Sequence, residues 1–195
     1  MSKPWKNEQG FTLLELLVGL VIIGILAAIF IPTWLGFLQR QRLNKANSRI
    51  WQGMEKTKQK AVTNQRDWQL SFRQEGEKRG EWAIHPSVKG DFVPDHVNWQ
   101  PLEEGIIFDI ENSSFEQEET GEITEWRVIF NHYGCPVFRP GNACTQTSFW
   151  ALGTVTVRPR NDDTLKRCVI ISTLLGSMRK AEGQNTPNNK DRYCY

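Results

Sequence analysis

Histidine is scarce, and the local patterns that announce catalysis are missing. His85, His96 and His132 stand far apart in a chain of 195 residues, and no G-x-S-x-G, P-loop, HExxH or G-x-G-x-x-G run occurs. Acyl transfer, phosphate cradling, zinc hydrolysis and dinucleotide binding therefore have no signature to start from. An enzyme is not expected, and no cofactor is implied. Cysteine is sparse as well: Cys135, Cys144, Cys168 and Cys194 contain no CxxC pair, which removes the usual zinc frameworks. The D-x-[DN]-x-[DN]-G calcium loop is also absent, so no metal is assigned to any residue. Nor does one sign of charge prevail, since 24 Lys and Arg against 22 Asp and Glu leave a net charge of +2. That total does not suggest a nucleic-acid or membrane-surface binder. No repeat is visible, and the length suits one core with an appendage.

Long apolar runs are missing except for one. Of the 21 residues Phe11 to Ile31, 17 are apolar, two are Gly, and only Thr12 and Glu15 are polar. As a helix this run spans roughly 31 Å, close to the ~30 Å hydrocarbon core of a bilayer. A secretory signal peptide is the competing reading, but its apolar region is about 7–15 residues long and ends at a small-residue cleavage site. Here Ala27 and Ala28 are followed by more apolar sequence. Glu15 is unexplained by a plain anchor, because a carboxylate near the centre of a membrane helix costs on the order of 3 kcal/mol and seeks a cation or other protein. Pro32, which lacks an N–H, is expected to bend or locally melt the helix.

The polar leader Met1–Gly10, carrying Lys3 and Lys6, ends in Gly10 immediately before Phe11-Thr12-Leu13-Leu14-Glu15-Leu16-Leu17-Val18. This junction resembles the class III signal of type IV prepilins and type II secretion pseudopilins. The resemblance implies that a prepilin peptidase cuts between Gly10 and Phe11 on the cytoplasmic face and that Phe11 becomes an N-methylated terminus. It further implies that Glu15 meets the terminal amine of a neighbouring pilin or pseudopilin subunit during assembly, and that Pro32 is the helix-kinking proline many pilins carry. The expected location is the inner membrane, crossed once and in contact with its lipid, with the head in the periplasm. Flanking charge argues the other way, since Arg40, Arg42, Lys45 and Arg49 follow the span and outnumber Lys3 and Lys6. The processing signal is given precedence because dedicated machinery reads it.

Beyond Pro32, Leu35, Leu38, Leu43, Ala46, Ile50, Met54 and Ala61 recur at intervals near three and four, which predicts an amphipathic stem helix. Eight basic residues (Arg40, Arg42, Lys45, Arg49, Lys56, Lys58, Lys60 and Arg66) face Glu55 alone in this stretch, to be solvated, to touch lipid headgroups or to pair with acidic neighbours. From Val62 the texture becomes β-rich. Strands are expected over 68–73, 82–84, 106–110, 126–130, 154–158 and 168–173, with turns at Gly76–Gly80 and near Gly176. Nine carboxylates lie between Glu103 and Glu125 with no Lys or Arg among them, and a solvated loop is the expectation there, a subunit docking surface or a divalent-cation site being the alternatives. The fold class is thus α+β: a long membrane-spanning helix continuing into a stem packed on an antiparallel β-rich head. The divisions are 1–10 leader, 11–31 membrane helix, 32–61 stem, 62–182 head and 183–195 polar tail.

Four cysteines allow three pairings. On the extracytoplasmic side two disulfides are expected, Cys135 with Cys144 closing a short loop and Cys168 with Cys194 tying down the tail. Trp68, Trp82, Trp99, Trp126 and Trp150 are read as core and sheet-packing residues. The helix-then-β order, with Lys60-Ala61-Val62, Trp68–Phe72, Val128–Phe130, Phe138–Gly141 and Arg167–Arg179, resembles the GspH/FimT family of minor pseudopilins and minor pilins. Some pilins of this type bind DNA through a G-R-x-R element near the carboxyl end. The matching stretch here is Gly176-Ser177-Met178-Arg179, with Ser177 in place of the first Arg, so Arg179 and neighbouring Lys180 are the candidate DNA contacts. The function implied is a structural subunit of a type IV pilus or type II secretion pseudopilus, acting in its shaft or initiating tip. The alternatives are a DNA-binding minor pilin acting in uptake and a membrane-anchored adhesin or receptor outside any filament.

Overall fold

Leu43, Ala46, Ile50, Met54 and Ala61 lie on one side of a helix, and all five are buried. They are seen in a computed structural model that describes residues 10, 12–146, 151–184, 186–188 and 193–194. The helix, α1, runs over Leu13–Thr63 and is followed by β1 (Trp68–Glu75), β2 (Glu81–Pro86), β3 (Gln100–Pro101), β4 (Ile106–Phe108) and β5 (Glu116–Thr120). After these come β6 (Ile123–Phe130), β7 (Pro136–Val137), a 3-10 turn at Cys144–Gln146, β8 (Thr154–Pro159), β9 (Arg167–Ile171) and β10 (Met178–Glu182). The chain divides into two units, Met1–Gln39 and Arg40–Tyr195.

In the first unit the described chain is helical from Leu13, and its apolar side chains, Leu13, Ile23 and Phe30 among them, are exposed. α1 is the one helix among the described residues long and apolar enough to cross a membrane, and none of its most apolar window is buried. The assigned helix continues through position 32, so Pro32 does not unwind it. The hydroxyl of Thr33 donates to the Ile29 carbonyl at 3.2 Å, one turn back.

In the second unit the antiparallel ladder β3-β2-β1-β6-β5, with β7 added to β6, forms one sheet, and β10-β9-β8-β4 forms the other. Strand alternation sends Leu70 and Phe72 of β1 and Trp126, Val128 and Phe130 of β6 to the same face. There they share a core with Val155, Val157, Val169 and Ile171 of the second sheet and with the helix residues above. Burying each such side chain contributes roughly 1.5–3 kcal/mol relative to exposure, so this face holds the stem to the head. The close approach is permitted by Gly53, where a Cβ would sit 3.3 Å from the Trp82 ring and 3.6 Å from Leu70.

The structure departs from the sequence reading most clearly around the acidic stretch. The strand expected over 106–110 stops at Phe108 because Asp109 turns the chain. Its carboxylate accepts the Asn112 N–H at 3.3 Å and its carbonyl accepts the Ser113 hydroxyl at 2.7 Å. The acidic stretch is not a solvated loop throughout: Glu116–Thr120 is an edge strand paired with β6, and Glu103 and Asp109 are buried. Three of the stem cations, themselves largely exposed, reach toward this stretch, with Arg49 at 3.2 Å and Lys45 at 3.8 Å from Glu103 and Arg42 at 3.8 Å from Glu104. Charges expected to be solvated, to touch lipid headgroups or to pair with a neighbour therefore partly cancel within the chain.

Cys135 is joined to Cys144 and Cys168 to Cys194, with Cα separations of 5.6 and 6.3 Å. The described part of the tail packs on the head. Cys194 is buried, and the Gly183 and Gln184 N–H groups donate to the carbonyls of Lys166 and Tyr193 at 2.9 and 2.7 Å. Trp68, Trp82 and Trp126 are core residues, whereas Trp99 is half-buried with the Arg73 guanidinium 4.5 Å above its ring. Trp150 lies outside the described residues.

Candidate functional site

The amino-terminal end of α1 holds the residues with the most specific sequence pattern. Thr12 precedes the first helical residue, and its hydroxyl accepts the Glu15 N–H at 3.2 Å while its carbonyl accepts the Leu16 N–H at 3.2 Å. Thr12 is thus the helix N-cap, and Glu15 stands in the first turn at the third helical position. An unpaired helix start has free N–H groups and a partial positive charge, so both the cap and the carboxylate are favourable there. Thr-x-x-Glu is the spacing of a capping box. The sequence reading passed over Thr12, although this spacing could have identified it. Glu15 is exposed and has no cation within reach among the described residues. Gly10 is exposed, with open space around its Cα, while Phe11 and the leader 1–9 lie outside the described residues.

The carboxyl-terminal candidates lie on β10, at the edge of the second sheet. Arg179 and Lys180 are consecutive on β10, opposite Ile170 and Val169 of β9. Alternation places them on opposite faces of the sheet. The Lys180 ammonium lies 5.6 Å from the Trp51 ring of α1. Three other cations of this region are paired, Arg158 with Asp163 at 2.6 Å, Lys166 with Asp109 at 2.7 Å and Arg167 with Glu182 at 3.1 Å, and Arg160 is exposed. Lys190 and Arg192 lie outside the described residues. The Arg179 and Lys180 side chains are both exposed.

Elsewhere the head offers little reactive geometry. A cavity of about 620 Å³ is lined by Asp109, Asn112, Arg158, Lys166 and Tyr193. Its two cations are engaged in the ion pairs just described. Among the described residues no group of three His, Cys, Asp or Glu side chains is placed to hold a metal. His85 does meet a hydroxyl, with Nε2 at 2.9 Å from Ser71 Oγ. The Pro86 carbonyl, 3.0 Å from Nδ1, accepts the ring proton there, so Nε2 accepts from Ser71. Ser71 is fully buried and also receives an N–H from Gln69 at 2.8 Å, which makes this a structural network under the sheet surface. Burial holds the His85 pKa below its ordinary value, partly opposed by the Pro86 carbonyl.

Comparison with known proteins bears on the amino-terminal site. Residues 5–31, the segment carrying Gly10, Phe11, Thr12 and Glu15, match the prokaryotic N-terminal methylation motif. Among solved structures, the minor pseudopilin EpsH from the type 2 secretion system of Vibrio cholerae is similar, at 11% identity and a TM-score of 0.45. The likeness covers 72% of this chain and 97% of that one. No curated protein matches.

Proposed function

We propose that this chain is a minor pilin or pseudopilin: a structural subunit cleaved between Gly10 and Phe11, methylated at Phe11, held in the inner membrane by α1 with its head in the periplasm, and assembled through that helix. The observation that carries the reading is the methylation motif at residues 5–31, in which one carboxylate, Glu15, interrupts an exposed apolar helix. Stripping that helix of water or lipid against neighbouring helices leaves the carboxylate without solvation. A positive amine on the next subunit removes the penalty by pairing with it, so assembly favours one axial register. Thr12 supports the arrangement by fixing the first helical turn on which the carboxylate stands.

Shearing filaments from cells that produce the chain and blotting them tests this reading. Unaltered chain is expected in the sheared fraction in its processed form. Glu15→Ala chain is expected to be processed normally yet depleted from filaments by tenfold or more. Normal incorporation of Glu15→Ala sinks the pairing, and absence of the unaltered chain from filaments sinks the subunit reading, leaving a membrane-anchored binding protein.

A further inference from the structure

We infer that one end of the head, built from the last turns of α1, the loop after β6 and the turn between β9 and β10, is a docking platform for the head of a different filament subunit, whose matching face is apolar and flanked by carboxylates. The inference rests on the subunit reading and specifies one of its contacts.

The described residues of Arg40–Tyr195 leave six large apolar side chains exposed, and four of them are at this end: Val62 at 42%, Tyr133 at 70%, Leu174 at 41% and Leu175 at 75%. The other two, Val88 and Ile110, stand singly elsewhere in the sequence. Direct contacts join the three segments. The Lys58 ammonium donates to the carbonyls of Leu175 and Gly176 at 3.2 and 3.0 Å. A Cβ on Gly134 would lie 3.3 Å from the Val62 methyl and 3.2 Å from Lys58, and one on Gly176 would lie 2.9 Å from the Gly134 carbonyl. Both glycines have positive φ, 79° and 73°, so no larger residue suits either the backbone or the space.

The platform is also rigid. Asn131, wholly buried, uses its side-chain oxygen to accept the N–H groups of Tyr133 and Cys135 at 3.1 and 3.0 Å. The Cys135–Cys144 disulfide anchors the far side of the same loop. The Tyr133 ring lies against His132 with 4.0 Å between centroids. None of this ordering is needed to bury Tyr133 or Leu175, which stay in water. A fixed aromatic and two leucines held outward cost solvation in the lone chain, and their ordering reduces the entropy lost when a partner covers them.

Charge selects the partner. Over residues 55–63, 131–134 and 172–177 the single carboxylate, Glu55, is outnumbered by Lys56, Lys58 and Lys60. Two copies joined through this same face would set cations against cations, so a symmetric pair is disfavoured. The free edge strand β5 lacks apolar side chains to cover Leu175. A different subunit with acidic flanks meets both requirements.

The test uses the full-length chain in cells that assemble the filament. A photo-reactive benzophenone amino acid replaces Leu175, and sheared filaments are irradiated and mapped by peptide sequencing. The expected adduct joins this chain to another protein bearing an N-terminal methylation motif, at an apolar residue next to Asp or Glu. In parallel, the Leu174→Ser/Leu175→Ser chain is expected to accumulate normally with its disulfides formed but to enter filaments at least fivefold less often. Wild-type incorporation of that variant, or adducts only to lipid, to a protein outside the filament or to a second copy of this chain, overturns the platform while leaving the subunit reading standing. If unaltered chain is missing from the filaments, both fall.

Discussion

Arg49 of α1 places its Nε 3.2 Å from Glu103, a carboxylate whose side chain is only 6% exposed while the arginine remains 45% exposed. Among the described residues neither Glu103 oxygen has a hydrogen bond beyond this ion pairing, and Lys45 is more distant at 3.8 Å. Removing Arg49 therefore strands a buried charge, whereas removing both partners does not. Arg49→Ala is expected to cost about 2 kcal/mol, less than a fully buried pair because the guanidinium is half solvated. Arg49→Ala with Glu103→Leu is expected to cost less than the sum of the two single changes. Urea unfolding of the four chains in detergent provides the cycle, and strict additivity would show that the two side chains are not coupled.

Gly53 gives a second test of how the stem is seated. The gap to the Trp82 ring, 3.3 Å from a built Cβ, leaves space for a methyl only if the ring yields slightly. Gly53→Ala gains about 1 kcal/mol of helix propensity and loses part of it to that contact, so near neutrality is expected. Gly53→Leu must push the helix off β1 and β2 and is expected to cost about 2–3 kcal/mol. A fall in thermal midpoint for Leu but not Ala supports this seating; equal midpoints for the two would place position 53 away from the sheet.

These contacts show which parts of the fold the sequence made legible. The spacing of Leu43, Ala46, Ile50, Met54 and Ala61 identified the packed face because a helix turns every 3.6 residues whatever it meets. The β-branched and aromatic runs likewise located six strands. Glu116–Thr120 escaped because Glu-Gln-Glu-Glu-Thr has the composition of a solvated loop. It becomes a strand by pairing with β6, where Arg127 lies opposite Glu116 and binds it at 2.8 Å. β3 and β7, two residues each, are too short to show any period. Arg49 and Glu103 are far apart in sequence, so their pairing follows no local spacing. At the candidate site Glu15 stood out because the bilayer makes a lone carboxylate conspicuous. The cap at Thr12 and the division of Arg179 from Lys180 were both readable from spacing and alternation.

The two disulfides should contribute unequally. Cys168 and Cys194 are 26 residues apart and Cys135 and Cys144 only 9, so the first closes the longer loop in the unfolded chain. Loop entropy assigns them about 3.5 and about 2.6 kcal/mol. The Cys168→Ala/Cys194→Ala chain is therefore expected to unfold at lower urea than the Cys135→Ala/Cys144→Ala chain, since it also frees the tail from the head. The reverse order in urea midpoints would mean that the loop carrying Tyr133 depends on its crosslink more than the tail does.

His85 sets the sign of one pH effect. Its imidazole is buried beside Ser71, and burial lowers its pKa from the ordinary 6.5, the Pro86 carbonyl only partly offsetting this. As pH falls below 6.5 the unfolded chain accepts a proton that the folded chain refuses. Stability therefore declines with acidification until the folded imidazole is itself protonated. Glu125 acts in the opposite sense: burial raises its pKa above the ordinary 4.5, opposed by Arg73 and reinforced by Glu118, so mild acid relieves a cost in the folded state. The two contributions separate in the comparison with His85→Gln, which keeps Glu125 and removes the imidazole. The stability advantage of the unaltered chain over His85→Gln is expected to be larger at pH 7.5 than at pH 5.5, measured by urea unfolding at each pH. An advantage that is constant or grows toward acid would show that His85 is not held neutral in the fold, and that the hydrogen bond from Ser71 to Nε2 is wrongly oriented.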